Sequence, residues 1–242
     1  MGRDVIDPGH DAGMDLSDWS APIFPIAKKM DGQFCRVEPL HVQSHVDDLW
    51  AANSEDKADL MWRYLPYGPF ENKDAYRVWL EGVCENKDPQ WYAILDKQKN
   101  QAVGIASYLQ IRPEHGCIEV GHLAFSPLLQ RTPAATEAMY LMMQYVFKLG
   151  YRRYEWKCNA LNDKSRAAAQ RLGFQFEGIF RQHLVLKGRN RDTAWFSILD
   201  GEWSALQACF LQWLSPDNFE RTGEQKIHLS RLIKQFSGDH IA

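Results

Sequence analysis

The sequence is poor in the features that mark secreted, membrane-spanning and metal-binding chains. It has only five cysteines in 242 residues, far apart and without a Cys-x-x-Cys pair, so neither a disulfide framework nor a zinc site is predicted. No apolar run is long enough to span a bilayer, and the first residues lack the basic segment and apolar stretch of a signal peptide. We therefore expect a cytoplasmic protein with reduced thiols, no metal and no membrane partner.

The sequence also lacks an excess of charge of one sign. Its formal net charge is -3 and its pI is near 6.2, which gives no global attraction to nucleic acid. With 45% hydrophobic and 24% charged residues the chain falls in the ordinary globular range. We predict one principal domain at 34–200, preceded by an arm at 1–33 and followed by a helical extension at 201–242.

Hydrophobic periodicity predicts that strands and helices follow one another along the chain, as in a mixed α/β sheet. Strands are predicted at 34–40, 91–96, 102–111, 117–125, 153–158, 174–187 and 191–199, and helices at 41–52, 72–86, 133–149, 163–172, 202–214 and 225–236.

The start of the predicted helix at 133–149 has the chemistry of an anion site. Thr132 is placed to cap the helix and Pro133 occupies its first position. Free N–H groups and the helix dipole favour an anion there, and Arg131 adds a full positive charge. The small side chains of Ala134 and Ala135 leave the backbone approachable. A pyrophosphate would fit, although an ordinary capped helix with a surface arginine has the same pattern.

Four segments in this order, starting at Glu119, Gln130, Asn162 and Arg171, resemble the GNAT acetyltransferase superfamily. The branch they resemble most is the ribosomal-protein N-terminal acetyltransferases (Rim-type), with their Glu-Ile-Gly strand, Gln-x-x-Gly-x-Ala loop and Asn-x-x-Ser helix start. The resemblance spans 34–199, with Pro133 in place of the loop glycine. It implies an α/β (α+β) fold: a central mixed, mostly antiparallel sheet, helices on both faces, and a V-shaped splay between the two central strands.

The resemblance also implies an activity. The expected enzyme is an acyltransferase that moves an acetyl group from acetyl-CoA, its co-substrate, to a primary amine, with a protein N-terminus as the first acceptor to consider. The alternatives are a small-molecule amine or antibiotic as acceptor, and a non-catalytic domain that binds acyl-CoA. A nucleic-acid partner is not expected.

The resemblance assigns residues to coenzyme binding. The backbone near 123–125 would pair with the pantetheine amides, the loop at 130–135 would bind the pyrophosphate, and the helix start at 162–165 would face the pantetheine arm. The residues concerned are Leu123, Ala124, Phe125, Gln130, Arg131, Thr132, Ala134, Ala135, Asn162 and Ser165.

Three residues are candidates for the catalytic proton transfers. Glu119 would accept the proton of the amine, unless it is only paired with an arginine at 152, 153 or 181. His122 competes for this role, but strand alternation places it on the opposite face from Glu119 unless a bulge intervenes. Ser165 would protonate the departing thiolate, or else face solvent. Many other GNAT enzymes have a tyrosine where Ala169 stands here, which favours Ser165 or water as the acid.

Three further segments are candidates for acceptor or partner contacts. The aromatic loop at 62–70 contains Trp62, Tyr64, Tyr67 and Phe70 and could line a pocket. The cation-rich hairpin at 181–191 would meet an acidic acceptor or RNA, or is simply solvated. The apolar segment 207–214 would contribute to a homodimer.

Overall fold

The computed structural model describes residue 13 and residues 15–238, so parts of the predicted arm and the last four residues lie outside it. The described chain forms one eight-stranded sheet with six α-helices. The strands are β1 (Met30–Asp31), β2 (Cys35–Pro39), β3 (Gln90–Asp96), β4 (Gln101–Arg112), β5 (Cys117–Phe125), β6 (Arg153–Asn159), β7 (Gln175–Leu186) and β8 (Arg189–Leu199). The helices are α1 (Val42–Asn53), α2 (Lys73–Cys84), α3 (Pro133–Lys148), α4 (Asp163–Arg171), α5 (Asp200–Leu214) and α6 (Leu229–Gly238).

The strand order is β1-β2-β3-β4-β5-β6-β8-β7. Neighbouring strands are antiparallel except for the central pair β5 and β6, which is parallel. That pairing ends at Val120 and Trp156, although both strands continue. The predicted mixed, mostly antiparallel sheet with a splay between its central strands is confirmed.

Helices cover both faces of the sheet because side chains alternate along each strand. On β3, Tyr92 and Ile94 belong to the core cluster formed with α3 and α5. Trp91, Ala93 and Leu95 point the other way, into a second cluster formed with α1 and α2. The two clusters explain why β3 is apolar on both of its faces.

Helix α5 belongs to the main core. The ring of Phe210 lies 5.5 Å from that of Tyr140 on α3, and Phe210 is fully buried. In the segment predicted to form a dimer contact, Cys209, Phe210, Trp213 and Leu214 are buried within the chain and Leu211 is exposed. A homodimer through 207–214 stays a prediction.

One predicted helix begins later than its pattern indicated. Helix α6 begins at Leu229 rather than at 225 because the preceding residues are held in extended backbone. Gln225 forms a β-bridge with Phe219, and the Asn218 side chain accepts the N–H of Ile227 at 2.9 Å. None of the helices in the described part of the chain is long and apolar enough to cross a membrane.

Candidate active site

The splay between β5 and β6 leaves one edge of β5 without a strand partner. Beyond Val120, β5 continues to pair with β4, where Ala124 faces Ile105, while β6 follows β8 as far as the pair Asn159 and Thr193. The predicted pantetheine-binding residues Leu123, Ala124 and Phe125 lie on this open stretch. The Phe125 carbonyl accepts a hydrogen bond from Nε2 of Gln130 at 2.7 Å. The backbone N–H and C=O groups along this edge of β5 are therefore available to an extended ligand that carries amides.

A β-bulge redirects His122 toward Glu119. On β4, Ser107 and Ile105 face Gly121 and Ala124, so β5 has one extra residue here, and His122 adopts a positive φ of 52°. The His122 ring consequently lies 4.6 Å from the ring of Trp91, which is on the same face of the sheet as Glu119. The bulge that was named as the exception to strand alternation is therefore present, and it brings the two candidate bases to the same face.

Glu119 is buried and bound to a lysine. Its side chain is 8% exposed, and its Oε2 accepts a hydrogen bond from Nζ of Lys157 at 2.8 Å. The same ammonium group lies 2.8 Å from Glu155 and 4.0 Å above the ring of Trp195. The partner is therefore a lysine on β6, and the expectation of an arginine at 152, 153 or 181 is wrong.

The environments of the two candidate bases shift their pKa values in opposite directions. Burial raises the pKa of Glu119, although Lys157 opposes the shift. Burial, together with the positive charge of Arg191, lowers the pKa of His122 to about 4. His122 is therefore neutral at pH 7 but only a weak base. Glu119 is the stronger candidate.

Glu119 and Lys157 belong to a row of side chains on one face of the sheet. Trp195 faces Lys157 across the β6–β8 pair, and Thr193 and Arg191 follow on β8 at alternate positions. We call Glu119, Lys157, Trp195, Thr193 and Arg191 the polar strip. The strip begins where β5 and β6 separate.

The predicted anion loop forms as expected at the start of α3. The Thr132 hydroxyl accepts the N–H of Ala135 at 3.2 Å and donates to the Leu129 carbonyl at 2.7 Å. Arg131 is exposed and has a φ of 62°. In the described part of the chain, the N–H groups of Arg131 and Ala134 have no acceptor. These groups fit an anion, whereas the N–H of Ala135 is already used.

A second cation lies beside the same helix start. Nη1 of Arg171 donates to the Thr136 hydroxyl at 3.0 Å, and its guanidinium lies 5.3 Å from the ring of Trp213. Burial lowers the pKa of Arg171. The first turn of α3 therefore has Arg131 just before it in sequence and Arg171 bound to its Thr136 hydroxyl, and two cations near a helix start suit a diphosphate.

Asn162 and Ser165 occupy the start of α4. The Asn162 side-chain oxygen accepts the N–H of Ser165 at 3.2 Å and caps the helix. The Ser165 hydroxyl accepts the indole N–H of Trp156 at 3.0 Å, so it faces the sheet rather than only solvent. Burial raises the pKa of the Cys158 thiol, and a hydrogen bond with Ser165 opposes this shift. Ser165 thus retains a hydroxyl proton that it can donate.

The aromatic loop and the cation-rich hairpin meet. Nζ of Lys187, at the turn between β7 and β8, donates to the carbonyls of Trp62, Tyr67 and Gly68 at 2.9, 3.0 and 2.6 Å. The Tyr67 ring stacks on His122 with 5.7 Å between centroids. The hairpin is therefore not simply solvated, because it holds the loop at 62–70 near the candidate bases.

The sequence pattern predicted neither a role for Lys157, nor a contact of Arg171 with α3, nor the contacts of Lys187 with the loop at 62–70. Alternation on β6 could have indicated that Lys157 lies on the face of the sheet opposite to Trp156 and Cys158, which flank it and are buried. Nothing in the sequence signals the hydrogen bonds of Lys187, since they join residues about 120 positions apart.

The comparisons with known proteins decide the family. Residues 36–175 match the acetyltransferase (GNAT) domain. The chain belongs to the GNAT acetyltransferase family. Members of this family use acetyl-CoA, and the loop at 130–135 with the open edge of β5 fits that co-substrate.

Relatives of this GNAT protein agree with the assignment. A crystal structure of a GCN5-related N-acetyltransferase from Brucella melitensis is 45% identical with a TM-score of 0.89, covering 90% of this chain and all of that one. "Uncharacterized N-acetyltransferase p20" of Bacillus licheniformis is 29% identical over 146 residues, 59% of this chain and 82% of that protein.

A third comparison bears on the Rim-type branch. RimL, a ribosomal L7/L12 α-N-protein acetyltransferase solved with coenzyme A, has 20% identity and a TM-score of 0.61 over 71% of this chain and 98% of that one. That likeness shows the fold alone, so the Rim-type branch stays a prediction.

Proposed function

We propose that this GNAT protein transfers the acetyl group of acetyl-CoA to a primary amine, with Glu119 as proton acceptor. The observation that carries the proposal is the position of Glu119 at the splay, buried, with a raised pKa and bound to Lys157. A base with a pKa nearer to the working pH takes a proton more effectively when it is ionised.

Each proton transfer and each contact with the pantetheine arm is assigned to a residue. Bound acetyl-CoA supplies a thioester carbonyl. Amide formation joins the amine nitrogen to the acetyl carbon, breaks the carbon–sulfur bond, and moves one proton from the amine to the sulfur. Glu119, directly or through water, takes the amine proton, and the hydroxyl of Ser165 supplies the proton for the sulfur. Solvent then carries a proton from Glu119 back to Ser165, which restores both groups. The backbone of Leu123, Ala124 and Phe125 and the side chain of Asn162 would hold the pantetheine arm.

The pyrophosphate of the co-substrate would lie at the start of α3. Gln130, Arg131, Thr132, Ala134 and Ala135 form the loop, and we assign the contacts to the free N–H groups of Arg131 and Ala134 and to the Arg131 side chain. Thr132 and Ala135 would act by fixing the helix start through their own hydrogen bond.

A protein N-terminus is our first acceptor, as the name of RimL states for that protein. A small-molecule amine or antibiotic is the alternative acceptor. The loop at 62–70 would decide which acceptor fits, because its residue Tyr67 lies beside His122. A non-catalytic acyl-CoA-binding domain is the remaining alternative.

The coenzyme site is tested by calorimetric titration with acetyl-CoA. The Arg131→Glu variant should bind at least about tenfold more weakly, a loss of roughly 1.4 kcal/mol. Arg221→Glu is the matched control, because it makes the same charge change at an exposed residue between α5 and α6. Absence of saturable binding to the unmodified protein would exclude the proposed function.

Catalysis is tested by thiol release from acetyl-CoA with a panel of short peptides and small primary amines. Glu119→Gln should lower kcat by about 10²-fold or more while acetyl-CoA binding is retained. If the unmodified protein binds acetyl-CoA but acetylates none of the amines, the non-catalytic alternative is favoured.

A further inference from the structure

Arg191 differs from the other cations on its face of the sheet. Lys157 is paired with Glu119 and Glu155, and Arg153 is paired with Glu155 and Glu177. Within residues 15–238, Arg191 forms no ion pair, its guanidinium donates no hydrogen bond, and its Nε is buried. A half-buried guanidinium without a direct ion pair is costly, because it has lost hydration and in return gains only the charge of Glu119 at a longer range than an ion pair.

The position of Arg191 places it beside the proposed chemistry. Arg191 lies on β8 two residues before Thr193, which forms the last pair between β6 and β8. Alternate residues of a strand share a face, so Arg191 lies on the same face of the sheet as Lys157 and Glu119. The Ala160 N–H donates to the Asp192 carbonyl at 2.8 Å, which joins this end of β8 to the loop before α4. The charge of Arg191 reaches both candidate bases, since it opposes the burial-raised pKa of Glu119 and adds to the lowered pKa of His122.

Other buried donors around the polar strip also lack acceptors. The indole Nε1 atoms of Trp195 and Trp91 and the hydroxyl of Tyr67 have no hydrogen-bond partner in the described part of the chain. Indole and guanidinium groups can only donate hydrogen bonds. The site therefore contains several unpaired donors, whereas the carboxylates of Glu119 and Glu155 are already bound to Lys157.

We propose that Arg191 binds a carboxylate group carried by the amine acceptor. A guanidinium donates two parallel hydrogen bonds to a carboxylate, a stronger and more selective contact than a lone ammonium provides. Arg191 would thus hold the acidic end of the acceptor while the amine lies near Glu119. This inference rests on the proposed function for the location of the amine.

The carboxylate has two chemical sources, which matched acceptors distinguish. A free α-amino acid carries it on the amine-bearing carbon, and its α-amide removes the charge. An acidic N-terminal segment carries it on a side chain, so the amidated tripeptides Asp-Ala-Ala and Asn-Ala-Ala form the second pair. Thiol release from acetyl-CoA gives kcat/KM for each member of a pair.

The unmodified protein should prefer the carboxylate member of at least one pair by about tenfold or more. Arg191→Met should abolish that preference. The readout is the ratio of kcat/KM within a pair, because loss of the Arg191 charge also acts on Glu119 and changes both members of the pair alike. Arg191→Lys should retain only part of the preference, because the paired donor geometry is lost. Arg189→Met, an exposed arginine on the same strand, is the matched control and should keep the full preference.

A binding measurement separates failure of this inference from failure of the proposed function. Saturation-transfer NMR of the same four acceptors, with protein saturated by coenzyme A, requires no turnover. Carboxylate preference in binding that Arg191→Met removes supports the inference even if no acceptor is acetylated. Equal binding of both members of each pair, no binding at all, or a preference that survives Arg191→Met would overturn it. Retained coenzyme A binding shows that each variant is folded.

Discussion

Nζ of Lys157 lies 2.8 Å from Oε2 of Glu119, so the candidate base is held by a cation on the neighbouring central strand. The contact crosses between β5 and β6 next to the point where they separate. Lys157 therefore has two effects on Glu119. It fixes the direction of the carboxylate, and it opposes the rise in pKa that burial causes.

Replacing Lys157 by methionine should move the acid limb of the pH–rate profile. Without the ammonium group, burial raises the pKa of Glu119 further, with the charge of Arg191 still opposing the shift. Glu119 must be ionised to accept a proton, so kcat/KM should fall away at a higher pH than in the unmodified protein. Lys157→Arg retains the charge and should leave the limb close to its original position. An unchanged limb in Lys157→Met would argue against Glu119 as the base.

Removal of the Ser165 hydroxyl should slow catalysis without weakening coenzyme binding. We expect Ser165→Ala to lower kcat by about 10²-fold, because the departing thiolate loses its proton donor. Ser165 also accepts the indole N–H of Trp156, so a structural effect must be separated.

Two variants make that separation. Trp156→Phe removes the indole N–H but keeps the hydroxyl, and should keep most of the activity. Ser165→Thr keeps a hydroxyl at the same place and should behave likewise. Equal losses in Ser165→Ala and Trp156→Phe would instead indicate that the hydrogen bond between them matters only for structure.

Loss of the Lys187 ammonium group should affect the acceptor and not the coenzyme. Lys187→Met removes three hydrogen bonds to the carbonyls of Trp62, Tyr67 and Gly68. The KM for the amine should rise by about fivefold, corresponding to roughly 1 kcal/mol, while the Kd for acetyl-CoA stays the same. Hydrogen exchange of the amides at 62–70 should become faster. The exposed Arg181 on β7 provides the control variant Arg181→Met, for which neither change is expected.

The parts of the fold and site that depend on local pattern were predictable. Thr132 and Pro133 marked the start of α3 because capping chemistry acts over three or four residues. Glu119 and Ser165 could be placed on their elements because the motifs around them are short.

The features that were missed depend on residues distant in sequence. The sequence allowed for a bulge at His122, but whether the bulge forms there depends on how β5 fits on β4. The pairing of Glu119 with Lys157 required the β5–β6 register, which two separate strand patterns do not contain. The late start of α6 likewise follows from contacts of Asn218 and Phe219 rather than from its own periodicity.

Glu137 joins α3 to the first strands, and its removal should destabilise the protein. Its carboxylate accepts the N–H groups of Gln33, Phe34 and Cys35 at 2.6, 2.6 and 2.7 Å, and its side chain is buried. Glu137→Ala leaves three buried or half-buried donors unpaired, so we expect the free energy of unfolding to fall by about 3 to 5 kcal/mol. Urea denaturation measures this loss.

A matched pair of substitutions shows whether the loss comes from these hydrogen bonds. Lys148→Ala, at an exposed position in the same helix, should change the free energy of unfolding by less than about 1 kcal/mol. Glu137→Gln retains one acceptor oxygen and should lie between the two, because a neutral oxygen accepts weaker hydrogen bonds than a carboxylate. If Glu137→Ala proves no worse than Lys148→Ala, the turn at 33–35 does not depend on α3. The start of α3 would then be positioned by apolar packing alone.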